Sequence, residues 1–399
     1  MNYHFSEKIR FVFGLLVCLL LIFADRIMTV KDRPEVLAPR VETPFINSSD
    51  IDIPDAALLE YQSYIQTTGH HDLKQLKALL YNRLRHKDIR VRMNVVEALG
   101  ELDDPDILDR LWEIYLHDDE AFIRNSAIAG MLNRGTPEVL TLLTQTISDT
   151  DPEVRRQSIE GCLAFADAAF QGLIETRFAQ ETDALNRIAL AALLYKIGDK
   201  EKLAYLTDAL LYEPSPEFRI YTAHMLQDSG LKINPDVIKK IFVQETHPEV
   251  KIWLAALLAE QGDTSGLDDL KHIVSGDADP FLKSSAAQAL NALGEQAYVY
   301  PYLLDLLKTG DEAIRERALE DLVDFKGYPL LPVLSRVLKD DPSITVREIA
   351  AWVMGERKDI EALPCLEQGL NDKSAFVRTG VMAALYKIVS AQELQQGKK

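Results

Sequence analysis

From position 87 onward, apolar positions recur in blocks of about 32 residues, each built on a spacing of four. A basic residue that follows an apolar one returns as Arg92, Arg124, Arg155, then Asn186, Arg219, Lys251, Lys283, Arg315, Arg347 and Arg378, at steps of 31 to 33. Counted from that residue as zero, position −1 is apolar in all ten blocks, from Val91 and Ile123 to Val346 and Val377. Position +7 is apolar throughout, from Leu99 and Met131 to Leu385, and position +3 is small or aliphatic, with Ala127, Ala189, Ala286, Ala318 and Ala350. Residues four apart stay on one face of a helix, so each block predicts an amphipathic first helix. Small residues in the middle column let neighbouring helices approach closely.

The start of that helix is also marked. Position −4 is Asp, Ser or Thr in eight blocks (Asp88, Asp151, Thr182, Ser215, Asp279, Asp311, Ser343, Ser374), the residue types that cap helix N-termini. Pro152, Pro216 and Pro280 follow at the first helical position. A turn bearing Gly135, Gly198, Gly230, Gly262, Gly294 or Gly327 leads to a second helix with apolar residues at +16, +19 and +23, as in Leu331, Leu334 and Leu338. The fourth and seventh blocks fit with one inserted residue. Two short amphipathic helices cannot bury both faces alone, so stacking of the blocks is obligatory.

The order Asp151-Pro152-Glu153-Val154-Arg155, and Asp88-Ile89-Arg90-Val91-Arg92 continued by Ala98-Leu99-Gly100, resembles the HEAT-like repeat family, especially its short bacterial form found in bilin lyases. The resemblance covers about residues 87–389. It implies an all-α fold, an alpha-alpha superhelix of about ten two-helix repeats, with second helices lining the concave side. Residues 56–86 read as two further helices that cap the N-terminal end, carrying Leu58, Leu59, Tyr61, Leu73, Leu76, Leu79 and Leu80. The tenth repeat keeps a first helix from Val377 to Ile388 and then gives way to a polar tail over 390–399. At about 10 Å between packed helices, ten repeats predict a rod or arc on the order of 100 Å.

Ahead of the array lies a different pattern. Lys8 and Arg10 precede an unbroken apolar run from Phe11 to Ala24, and residues 1–30 are expected to be a signal peptide or a single transmembrane anchor. No small-x-small site follows for cleavage, which favours the uncleaved anchor, with a cleaved signal and a soluble periplasmic protein as the alternative. Residues 31–55, with Pro34, Pro39, Pro44 and Pro54, read as an extended tether. The expected location is the inner membrane of a bacterial cell envelope, with the repeat domain in the periplasm.

Charge narrows the partners. The chain has 44 basic and 62 acidic residues, a net charge of −18. Such a chain is repelled by nucleic acid, which needs a basic face. Much of the acidity is helix-start chemistry, favourable against the helix macrodipole, and implies no cation site. Cys18, Cys162 and Cys365 are too few and too far apart for a disulfide framework or metal cluster.

Candidate chemistry is sparse. His70, His71 and Asp72 have metal-ligand types but fall in an interhelical turn, and the expectation is an exposed turn. Family members with a di-iron centre carry repeated His-Glu pairs, and no His-Glu dipeptide occurs here. No phosphate loop, nucleophile elbow or zinc-spaced set appears, and Trp112, Trp253 and Trp352 read as packing residues. The chain is therefore expected to be no enzyme and to need no cofactor or metal.

What varies is position +21 of the second helices: Glu113, Gln145, Thr176, Asp208, Lys240, His272, Asp305, Arg336 and Gln368. A polar column of mixed sign suits a protein surface. Lys239, Lys240, Lys271 and His272 form a local basic island, and with Asp305 and Arg336 they are the candidate partner-binding residues. The expected function is an interaction scaffold that binds a protein or peptide along the concave face of the solenoid, with membrane contact through the N-terminal segment only. The alternatives are an accessory or catalytic subunit in cofactor attachment or protein modification, drawn from family analogy alone, and a purely structural spacer.

Overall fold

The computed structural model describes residues 56–396 except 103–105, 135, 137, 166–167 and 231–232. The apolar run Phe11–Ala24 and the proline-rich tether lie outside the described residues. Among the described residues no helix is long and apolar enough to cross a membrane.

All regular structure among the described residues is helical. First helices run Ile89–Leu99, Ala121–Arg134, Pro152–Phe165, Ala184–Ile197, Pro216–Asp228, Pro248–Glu260, Pro280–Ala292, Glu312–Leu322, Ile344–Arg357 and Ala375–Gln396. The first nine have a second helix: Ile107–His117, Glu138–Thr146, Gln171–Gln180, Lys202–Tyr212, Pro235–Gln244, Thr264–Ser275, Gln296–Thr309, Leu331–Asp340 and Leu363–Gly369. A pair Ala56–Thr68 and Leu73–Arg83 precedes them. The described chain divides into two compact units, residues 135–314 in one and residues 56–134 with 315–396 in the other.

Within each unit the two kinds of helix are buried unequally. First helix Ala184–Ile197 buries the seven consecutive residues Ile188 to Leu194, and Pro248–Glu260 buries Ile252 to Leu258. Second helices bury only a stripe: Leu206 and Leu210 in one, Ile238 and Ile241 in the next. The middles of these two first helices are therefore encased on every side, and second helices cover them with an outer face left in water.

The predicted caps are largely in place. Asp88, Asp151, Asp279, Asp311 and Ser343 each accept a backbone N–H two or three residues on. In the fourth repeat the cap moves by one to Asp183, which accepts from Asn186 N, and the Ser215 hydroxyl turns to Glu217 instead. Gly198, Gly230, Gly262 and Gly294 have positive φ one or two residues past the ends of their first helices, which stops each without the strain a side chain would bring there.

The column that defined the period has a structural task. One guanidinium nitrogen of Arg92, Arg124, Arg155, Arg219 and Arg347 donates to backbone carbonyls five and six residues earlier, fastening the turn that opens its own repeat. The other edge of Arg155, Arg219, Arg315 and Arg347 grips Glu181, Glu245, Asp341 and Asp372 at 2.7–3.1 Å, in the turn opening the next repeat. Each of these acids also accepts a backbone N–H two residues on. Arginine and carboxylate thus form a ladder from turn to turn. Asn186, the exception in the column, instead reaches back to the Pro152 carbonyl at 2.9 Å.

One expectation is corrected at the end of the array. The last helix does not stop near Ile388 but continues to Gln396, so most of the expected tail is helical. Within the unit of residues 56–134 with 315–396 the opening and closing segments meet: Gln62 Nε2 donates to Asn371 Oδ1 at 3.0 Å across 309 positions of sequence. Elsewhere a second helix packs on its own first helix and on the first helix of the following repeat, as Thr264–Ser275 does with Pro248–Glu260 and Pro280–Ala292. Leu73–Arg83 stands in that same relation to Ala375–Gln396 and Ile89–Leu99. The tenth repeat, which has no second helix in sequence, receives one from the N-terminal pair.

Candidate functional site

The outer face of the second helices carries the variable column, and all nine of its residues, from Glu113 to Gln368, are exposed. The candidate residues Lys239, Lys240, Lys271, His272 and Asp305 lie in the unit 135–314; Arg336 lies in the other. Lys239 Nζ pairs with Asp263 at 2.6 Å, and Lys271 Nζ with Glu295 at 2.8 Å, each acid opening a second helix of the next repeat. Lys271 also sits over the Tyr298 ring, whose hydroxyl donates to the Lys271 carbonyl. Half of the basic island is therefore neutralised by its own neighbours. Lys240 and His272 remain as its open members, and Asp305 lies 3.9 Å from Lys308. Around them Tyr212 and Val243 stand 74% and 79% exposed, near the C-terminal ends of consecutive second helices.

The residues with metal-ligand types are placed otherwise. His71 Nδ1 meets the Tyr61 hydroxyl at 2.9 Å and Nε2 meets Glu367 at 3.1 Å. Asp72 caps helix Leu73–Arg83, and His70 is an exposed turn residue. Cys162 is buried, which pushes its thiol up to about 12, and both described cysteines are free. Trp112 stacks on Tyr115, Trp253 packs on His224, and Trp352 faces a cavity.

That cavity, about 70 Å³, was not legible in the sequence. It lies in the unit 56–134 with 315–396, where first helices of the opening and closing repeats meet, and is lined by Asn94, Glu97, Asn133, Glu348, Trp352 and Lys387 among others. Glu348 accepts from Asn94 Nδ2 at 2.8 Å, and Glu97 accepts from the Ser126 hydroxyl at 3.0 Å. Lys387 Nζ pairs with Glu356 and lies 3.5 Å from Glu101. Burial pushes Glu97 up to about 7, against the pull of Ser126 and Lys387. Burial and the neighbouring Glu97 push Glu348 up to about 8. The sequence signal was faint: acids at +5 and +1 of first helices, positions that the apolar pattern leaves unassigned.

Residues 60–132, 139–227, 235–323 and 331–396 match the family of HEAT repeats. No curated protein matches the chain. Among solved structures, human deoxyhypusine hydroxylase in complex with glycerol aligns over 79% of this chain and 96% of its own, at 13% identity and a TM-score of 0.32. Kap121p bound to Nup53p aligns over 86% of this chain and 44% of its own, at 13% identity and a TM-score of 0.35. The karyopherin Kap121p bound to the extreme C-terminus of the protein phosphatase Cdc14p aligns over 84% of this chain, at 12% identity and a TM-score of 0.35, and this chain again spans 44% of its length. Since the family match extends over most of the sequence, and nine helix pairs and a completed tenth carry its period, the chain belongs to the HEAT-repeat family.

Proposed function

We propose that this chain is a non-enzymatic scaffold that holds a protein or peptide partner along the outer faces of its second helices. The observation that carries the reading is the +21 column. Nine residues of mixed sign at one register are all exposed, while the first helices beneath them carry most of the buried apolar residues. A rigid core that repeats while its surface column varies is what recognition of an extended partner requires. Lys240 and His272, with the exposed Tyr212 and Val243 nearby, give that surface a mixed basic and apolar character in the unit 135–314. The N-terminal apolar run and its tether are part of the proposal: they would hold the scaffold at the bacterial inner membrane, with the repeats in the periplasm.

The test is crosslinking in cells with the full chain, followed by affinity purification, comparing wild type with D208K/K240E. Recovery of one partner, reduced at least about tenfold by the double variant, supports the reading; a rim charge change of this size costs about 1.4 kcal/mol. Equal recovery with both proteins removes the column from recognition. A purified full-length protein that turned over a substrate would replace the scaffold with an enzyme.

A further inference from the structure

The junction between the opening and closing repeats places two acids against one cavity, whereas Glu160 and Asp321 in the stacked repeats do not line that cavity. Across the junction run Gln62 to Asn371, His71 to Glu367, Asn94 to Glu348 and Lys387 to Glu101, and the Arg90 guanidinium lies 5.5 Å from the centre of the Phe376 ring. At its middle is the cavity with Glu97 on one side and Glu348 on the other. Gly380 leaves the room Glu348 needs, since a Cβ there would lie 2.5 Å from its Oε1. The charged groups around this point are four carboxyls (Glu97 and Glu101 from the opening repeat, Glu348 and Glu356 from the ninth) and one ammonium, Lys387 from the last helix. Ser126 and Asn133 of Ala121–Arg134 face it as neutral groups, the latter donating to the Glu97 carbonyl.

We propose that this junction is a proton-operated latch: with Glu97 and Glu348 protonated the last helix stays seated, and their ionisation releases Ala375–Gln396 from Leu73–Arg83 and Ile89–Leu99. Charge in a confined space drives the release. With both acids neutral, Lys387 answers Glu356 and Glu101. With both ionised, four carboxylates face one ammonium across a cavity too small to hydrate them as bulk water would. Opening the junction returns them to water.

The direction with pH follows. Glu97 and Glu348 hold their protons more tightly in the closed junction than the ordinary carboxyl value of 4.5, so their stabilisation is complete below that value. It is lost as pH rises through about 7 and then about 8. At the far end of the junction His71 acts oppositely. Burial lowers its pKa below 6.5 despite Glu367, so its contribution is complete above 6.5 and weakens as pH falls below it. One partly buried imidazole opposes two carboxyls, and the net effect of alkali is release.

Hydrogen exchange of the full-length protein tests this, with amide rates corrected for the chemical effect of pH and helix Pro248–Glu260 as internal reference. From pH 6 to pH 9 the protection of Leu73–Arg83 and Ala375–Gln396 is expected to fall at least about tenfold relative to the reference, the equivalent of one pKa unit. E348Q and E97Q, which stay neutral at both pH values, are each expected to remove much of that fall. Unchanged protection in the wild type overturns the latch whether or not either variant folds. A full fall retained in both variants overturns the assignment to these two acids.

Discussion

The first helices around residues 184–260 and those meeting at residues 89–101 and 344–387 are the same element of the same repeat, yet they are held in different ways. In the first region the contact face is Ala189, Leu190, Ala191, Ala192, Leu254, Ala255 and Ala256, all at most 1% exposed, and the polar connections lie beside it: Arg155 and Arg219 bind Glu181 and Glu245 in the turns, Gln227 donates to Glu260, and Tyr221 donates to Glu160. In the second region the corresponding faces carry Glu97, Glu348, Glu356 and Lys387 around a cavity. A dry stack draws its strength from close packing and is indifferent to pH. A junction of carboxyls has a strength set by how many of them are ionised. The period is thus uniform in geometry and uneven in chemistry: burial raises the pKa of single acids such as Glu160 and Asp321 elsewhere, and at the junction two such acids, Glu97 and Glu348, line one cavity.

The largest effect should come from the dry region. Leu254→Ala, at a site with no exposure, should cost about 2–5 kcal/mol in urea unfolding, by nearly the same amount at pH 6 and pH 9. A loss that changed with pH would erase the contrast between the regions.

Next comes the turn ladder. Burial raises the Glu181 pKa, but the guanidiniums of Arg155 and Arg177 and the backbone N–H of Asp183 outweigh it and hold the carboxyl down at about 2. Its stabilisation is complete above the ordinary value of 4.5 and is lost as pH falls through about 2. Arg155→Ala leaves a carboxylate that is 2% exposed without its main partner, and should cost about 2–3 kcal/mol at pH 7. The cost should shrink on acidification below pH 4, measured by thermal unfolding against pH.

A smaller change of opposite sign is expected at the junction. E348Q should stabilise the protein by about 1–2 kcal/mol at pH 9 and by little at pH 5, because it removes a charge that the cavity does not solvate. Destabilisation at both pH values would mean that Glu348 serves the junction as an anion. The smallest effect belongs to Gln62→Ala. That contact to Asn371 is exposed, and its loss should stay within about 0.5 kcal/mol, which separates the junction's polar rim from its titrating centre.

The sequence made the regular region legible and the junction opaque, for physical reasons. Helix pairs, caps and turn glycines are local, and their signals stand in register every 32 residues or so: Asp279 caps the helix that Pro280 begins, as its position implied. The acidic partners of the ladder, Glu181, Glu245, Asp341 and Asp372, also stood at a fixed place in the repeat, but position −4 already accounted for the negative charge and hid them. The basic island stood out because lysines were counted without their partners Asp263 and Glu295 one repeat on. The junction's pairing had no periodic trace, since Asn94 and Glu348 are 254 positions apart. Besides the acids at +5 and +1, its sign was a tenth repeat that had a first helix and no second, and an N-terminal pair that fitted no repeat.

That the closing repeat packs against the opening one is the claim on which the rest depends, and a zero-length carbodiimide crosslink at pH 6 tests it most directly. Lys387 Nζ lies 3.5 Å from Glu101 Oε1, 286 positions away in sequence. Mass spectrometry of the monomeric fraction should yield a peptide joining Lys387 to Glu101. A monomer in which Lys387 is joined only to Glu356 of the preceding repeat, with no link to the opening repeat, would contradict the account.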